Sequence, residues 1–186
     1  MIGFPEQIPI DIKLQANNAG CLSHTFNKRP EAQQDFIHAF CQTIGNAQRN
    51  KPLTVELYGR YSQTAMKYTN QASDWKKRFT SKDRINVADE TIREFYERVK
   101  KRGELTIESL AELYYKLNIN ELLVDGNKRA SILALCHVLI QHRYSPPDFN
   151  QSSLKRLYEL QFQYPNDHRK AVVEFLREVL GVIPLY

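Results

Sequence analysis

Apolar positions return along this chain mostly at steps of three and four. Between Glu31 and Gln48 the set Phe36, Ile37, Phe40, Cys41 and Ile44 follows that spacing and predicts an amphipathic helix, with Pro30 suited to its first turn. Leu53, Thr54, Val55, Glu56, Leu57 and Tyr58 then alternate, which predicts a short extended segment turned at Gly59; residues 60–74 fit either a helix or a loop. Ile92, Phe95, Tyr96 and Val99 mark a second amphipathic helix ending near Gly103. Thr106 can cap a third, with Glu108 in its first turn and Ile107, Leu110, Leu113, Tyr114 and Leu117 as its buried stripe. Residues 128–142 read KRASILALCHVLIQH, and between Ile132 and Ile140 the only strongly polar side chain is His137. A helix apolar nearly all round belongs in the middle of a fold. Residues 143–147 stop it, and two more helices follow at about 151–163 and 168–180, the last capped by Asn166 or Asp167 and closed by Gly181. The pattern is all-α, with room for one small β-hairpin near residues 53–70. Residues 1–30, with Pro5, Pro9, Pro30 and a polar Gln-Ala-Asn-Asn-Ala-Gly stretch, read as an irregular arm packed onto the body.

Composition narrows the class without naming a function. The 186 residues, 42% hydrophobic and 25% charged, suit one ordinary globular domain and exclude wholesale disorder. No apolar run approaches the roughly 18 residues a membrane span requires, and the first residues lack a Sec-type leader. The expectation is a soluble chain, cytoplasmic or delivered into another cell's cytosol. Cys21, Cys41 and Cys136 show no CxxC spacing and read as reduced thiols, Cys136 buried. The net charge of +5 favours anionic partners and does not choose among them. Residues 75–84 (WKKRFTSKDR) are the most basic stretch; Trp75 and Phe79 among cations could stack on bases, but a solvated face with its aromatics tucked inward is the preferred reading, so nucleic acid ranks last among partners.

The chemistry-bearing stretch is ELLVDGNKR, residues 121–129. Asp125, Gly126 and Asn127 join one helix to the start of the central one. The first turn of a helix leaves backbone N–H groups unpaired at its electropositive end. Gly126 permits a tight turn and close approach of a ligand, while Lys128 and Arg129 add cations beside the amides. Such a corner suits a phosphate, and Asp125 at its rim could hold a Mg²⁺ that bridges phosphate oxygens. A helix–turn–helix corner with exposed Lys and Arg is the plainer alternative.

Residues 121–129 resemble the signature of the Fic/Doc (Fido) family, H-x-F-x-[D/E]-G-N-[G/K]-R, matching it at Asp125, Gly126, Asn127, Lys128 and Arg129. The Asn-Lys-Arg ending followed by Ala130 is closer to the Doc-type branch. The likeness spans roughly residues 50–181 and is strongest over 107–147. It implies a Fic/Doc-like helical bundle around a central apolar helix, with a small β-hairpin flap; residues 51–186 would form that domain and residues 1–50 an arm and helix packed on it. It also implies transfer of AMP, or in Doc-type members a terminal phosphate, from ATP or another nucleotide to a Ser, Thr or Tyr hydroxyl of a protein target, as toxins or exported effectors of this family do. On that reading Asp125 ligands Mg²⁺, the backbone of Gly126, Asn127 and Lys128 cradles the diphosphate, and Arg129 neutralises phosphate charge.

Departures from the signature qualify the chemistry. The family's histidine, the proton acceptor, is Glu121 here; the Pro-Phe pair is Leu122-Leu123; the further arginine of the longer motif is Ile132. A free glutamate titrates near 4.3 against about 6.5 for histidine and is a weaker base by roughly two units. Glu121 could orient a hydroxyl, act as a modest base, extend the metal site with Asp125, or repel the phosphates. His24, His38, His137, His142 and His168 offer no obvious substitute, and the family's inhibitory-helix signature, [S/T]-x-x-x-E-[G/N], is not found in the sequence. The alternative function is a catalytically inactive Fic-fold module that binds a protein partner.

Overall fold

The computed structural model describes residues 30–69, 74–144, 146 and 151–180. Among them are seven α-helices and no strand: α1 (Pro30–Gln48), α2 (Val55–Ala65), α3 (Lys82–Arg102), α4 (Ile107–Ile119), α5 (Asn127–Gln141), α6 (Gln151–Gln163) and α7 (His168–Leu180). A 3₁₀ turn at Trp75–Arg78 precedes α3. The arm expected for residues 1–29 and the helix-closing role expected of Gly181 lie outside the described residues. No helix among the described residues is long and apolar enough to cross a membrane.

The central position expected for the apolar helix is where α5 sits. Every residue from Arg129 to Leu139 is buried, because α1, α2 and α4 pack around it. Phe36, Ala39, Phe40 and Ile44 of α1 join the same core as Leu133, Leu135 and Val138 of α5, so the first helix shares the core of the rest. Cys41, counted in the apolar stripe of α1, is exposed; Cys136 is buried as expected. His137 is fully buried, and both ring nitrogens are engaged, Nδ1 with Tyr61 Oη at 2.8 Å and Nε2 with the Lys51 carbonyl at 2.8 Å. A carbonyl can only accept, so Nε2 carries the proton and Nδ1 receives the Tyr61 hydroxyl.

Local chemistry sets the helix ends. Gly103 closes α3 at φ 77°, its amide donating to Val99 O at 2.9 Å. Thr106 opens α4 with a reciprocal capping pair to Ser109. Asp167 Oδ1 accepts from Lys170 N at 3.0 Å at the start of α7. The apolar helix α5 ends through Arg143 in the left-handed region (φ 66°), with its amide donating to Ile140 O and that of Tyr144 to Leu139 O.

One element differs from the sequence expectation. The alternation from Leu53 to Tyr58 does not form an extended segment or hairpin; Thr54 instead caps α2 by accepting from Leu57 N at 3.2 Å. Six alternating residues do not distinguish a strand from the first turns of a helix. The deciding stripe, Tyr58, Tyr61, Ser62 and Ala65, runs on through residues whose state the sequence left open, and all four are buried.

Candidate functional site

The corner at residues 121–129 is built between the end of α4 and the start of α5. Asn120 is the C-cap of α4 and Glu121 follows it in the left-handed region at φ 44°, which reverses the chain. Leu122 and Leu123 then turn inward, 0% and 2% exposed. Leu123 therefore anchors the loop by burial. Glu121, Val124 and Asp125 remain on the outside.

Two neighbours hold this loop from opposite sides. On one side the segment 78–80 runs antiparallel to it through a single bridge between Phe79 and Leu123; Thr80 N donates to Leu122 O at 3.1 Å and Val124 N to Arg78 O at 2.9 Å. That pairing uses the groups flanking Leu123 and leaves Leu123's own N–H and C=O pointing away. On the other side the Asn127 carboxamide satisfies both: Leu123 N donates to Oδ1 at 2.8 Å, and Nδ2 donates to Leu123 O at 2.9 Å. The asparagine substitutes for a neighbouring strand.

Beyond the loop the chain enters α5 through Gly126, the N-cap, at φ 80° and ψ 18°. A Cβ there would lie 2.7 Å from Met66 Sδ in addition to requiring a left-handed conformation, so both backbone and packing select glycine. No side chain caps α5, and its first intrahelical bond runs from Ala130 N to Gly126 O at 3.0 Å. The amides of Asn127 and Lys128 thus sit ahead of the helical ladder at the positive end of the helix dipole. Asp125 Oδ1 accepts from Gly126 N at 2.6 Å, which fixes the carboxylate at the rim.

Three cations surround this opening, in three different states. Lys128 is half-buried, its ammonium 3.2 Å from Tyr158 Oη and 5.4 Å from the centre of that ring. Arg129 is directed inward: its Nη1 donates to Tyr68 Oη at 2.8 Å and lies 2.9 Å from Met66 Sδ. Arg78 is 1% exposed, with Nη2 donating to the Asp125 carbonyl at 3.0 Å and Nε to Ser62 Oγ at 3.3 Å. Burial lowers the Arg78 guanidinium from its usual value, and the negative charge of Asp125 pulls it back up. Glu121 forms no hydrogen bond or ion pair among the described residues.

The structure brings Asp125, Gly126, Asn127, Lys128 and Arg129 to one corner and leaves Glu121 on its exposed edge. Arg78, Met66, Tyr68 and Tyr158 belong to the same place and were not singled out from sequence. Arg78, within the most basic run of the sequence, lies beneath the loop and not on the surface; Trp75 packs on Gly59 and edge-on against Phe79, so the aromatics of that run face inward. Nothing in the spacing of that run singles Arg78 out from Lys76 and Lys77.

Neither protein-family models nor curated proteins give a match to this sequence. Among solved structures, the crystal structure of a Fic domain containing signaling protein from Bacteroides thetaiotaomicron VPI-5482 superposes with a TM-score of 0.72 at 14% sequence identity, over 91% of this chain and 83% of that one. Agreement at so low an identity is agreement of fold. This chain has the all-α fold of Fic domains.

Proposed function

We propose that the corner at residues 125–129 binds the phosphates of a nucleotide, ATP or a close relative. The observation that supports it is the uncapped start of α5, where the amides of Asn127 and Lys128 precede the helical ladder beside Lys128, Arg129 and Arg78. Free amides, a helix dipole and cations are what an anion needs in place of water. The donor set also fits Mg²⁺ rather than a metal caged by protein. Asp125 supplies one exposed carboxylate, and no group of three or more His, Cys, Asp or Glu side chains converges among the described residues. Mg²⁺ commonly takes one or two carboxylates and completes its shell with phosphate oxygens and water. Asp125 would hold such an ion, which would supply charge neutralisation to the phosphates.

On this reading the chain is a Fic-fold nucleotide-binding domain whose transfer of AMP or phosphate to a protein hydroxyl is slow. Proton removal from the attacking hydroxyl would fall to Glu121, an exposed carboxylate where the resembled signature has an imidazole. Loss of a well-matched general base lowers rates by roughly 10²–10⁴. The alternative, an inactive module that binds a protein partner, is favoured by one observation, the engagement of Arg129 by Tyr68 and Met66.

Calorimetry with ATP and Mg²⁺, on the wild type and on Lys128→Ala and Asp125→Ala, tests the binding. Saturable binding weakened by both substitutions supports the reading, and no heat with any nucleotide refutes it. Incubating wild type and Glu121→His with α- or γ-labelled ATP and a lysate tests the chemistry. Glu121→His should gain label, from the α position for AMP transfer or from γ alone for phosphate transfer. Silence from both proteins would favour the interaction module.

A further inference from the structure

The turn that follows α2, residues 66–69, sits against the corner rather than beside it. Met66 is fully buried, with its sulfur in the space a side chain at Gly126 would take. Tyr68 Oη receives Nη1 of Arg129 at 2.8 Å, and its ring centre is 5.5 Å from the guanidinium carbon. The far side of the turn is tied to α1, where Tyr68 N donates to Asp35 Oδ2 at 2.7 Å. Lys67 and Thr69 are exposed and Tyr68 is half-buried, so Tyr68 can swing outward without opening the core. A neutral phenol oxygen therefore occupies a guanidinium hydrogen that an anionic oxygen would bind more strongly.

We infer that residues 66–69 form a latch over the corner: Tyr68 Oη stands where a phosphate oxygen binds Arg129, and ligand entry displaces it. The inference rests on the phosphate-binding reading above and adds its control. A site closed in most molecules binds with an apparent affinity reduced by the fraction that is open. Removing the hydroxyl with Tyr68→Phe keeps the ring but not the bond, and Asp35→Ala releases the turn from the other end without touching the corner. Hydrogen bonds to charged groups are strong enough that Tyr68→Phe should tighten binding of MgATP by roughly tenfold. Asp35→Ala should shift it in the same direction.

The test is calorimetric titration of wild type, Tyr68→Phe and Asp35→Ala with MgATP, each with and without Lys128→Ala, whose weakening of binding ties the heat to this corner. Trypsin cleavage after Lys67 is followed in parallel without nucleotide, and should be several-fold faster in both variants. Tighter binding with faster cleavage supports the latch. Wild-type binding that the variants leave unchanged or weaken refutes the latch and leaves the phosphate site standing, Tyr68 then being a neutral neighbour or a ligand contact. No binding by any of the proteins overturns the phosphate site, and the latch with it.

Discussion

Substituting Asn127 tests whether the corner is held by a side chain acting as a strand. Asn127→Ala removes two hydrogen bonds, of 2.8 and 2.9 Å, to the backbone of Leu123, a residue 2% exposed. Each neutral bond contributes about 1 kcal/mol, and leaving the buried N–H and C=O unmatched adds about 1 kcal/mol or more, so the expected loss is roughly 2–3 kcal/mol. For a chain of this size that corresponds to a fall in Tm of about 5–10 °C. Asn127→Asp is the informative companion. It keeps the acceptor for Leu123 N but turns the donor into an oxygen facing Leu123 O, a repulsion only partly offset by a negative charge at the helix start, worth ~0.3–1 kcal/mol. Its defect should therefore match or exceed that of Ala at neutral pH. It should shrink as the pH falls through the carboxylate range, where a protonated acid can donate again. Urea denaturation of the three proteins at two pH values measures this. An Asn127→Ala protein within about 0.5 kcal/mol of wild type at an unchanged m-value would mean that water, not Asn127, satisfies Leu123, and the account of the corner would be wrong.

Two further outcomes are expected. Gly126→Ala should destabilise by about 1–3 kcal/mol, combining the left-handed penalty at φ 80° with displacement of Met66; made in a Met66→Ala background, the same substitution should lose its steric part and keep the backbone part, as read from the four proteins of the double-mutant cycle. Burial depresses the His137 pKa, so the unfolded chain binds the proton more readily; stability present above the unfolded value of about 6.5 is lost as the pH falls below it, and His137→Gln should flatten that slope between pH 7 and 5 in denaturant titrations. The carboxylates whose pKa values are lowered by cationic partners, Glu94 by Lys116 and Glu178 by Arg156, act in a more acidic window, while His142, also lowered by burial, contributes the same residual slope to both proteins.

How much was legible follows the range of the interactions concerned. Helices α3, α4 and α7 were readable because each carries its own stripe and a local cap: Val99 with Gly103, Thr106 with Ser109 and Asp167 with Lys170 are all contacts within four residues. The position of α5 was readable from its lack of a polar face. The stretch 53–69 was not, since its helical state depends on burying Tyr58 and Tyr61 against distant helices, and a short alternation carries no trace of that. Cys41 was misplaced for a related reason: a three–four pattern gives the width of a buried face only to within a residue.

The sequence by itself determined the helices other than α2, the central place of α5 and the cluster Asp125, Gly126, Asn127, Lys128 and Arg129, because contiguous residues at a helix entry must share one corner. Tertiary structure alone decided what surrounds that corner. Arg78, Met66 and Tyr68 arrive from at least 47 residues away in the chain, as the Arg78–Asp125 pairing shows. Only folding could reveal that Arg129 faces a tyrosine, that Arg78 lies beneath the loop, and that Glu121 stands at its exposed edge. Local sequence encodes backbone conformation through propensity and caps, whereas the state of a charge is set by whichever distant groups desolvate and bond it.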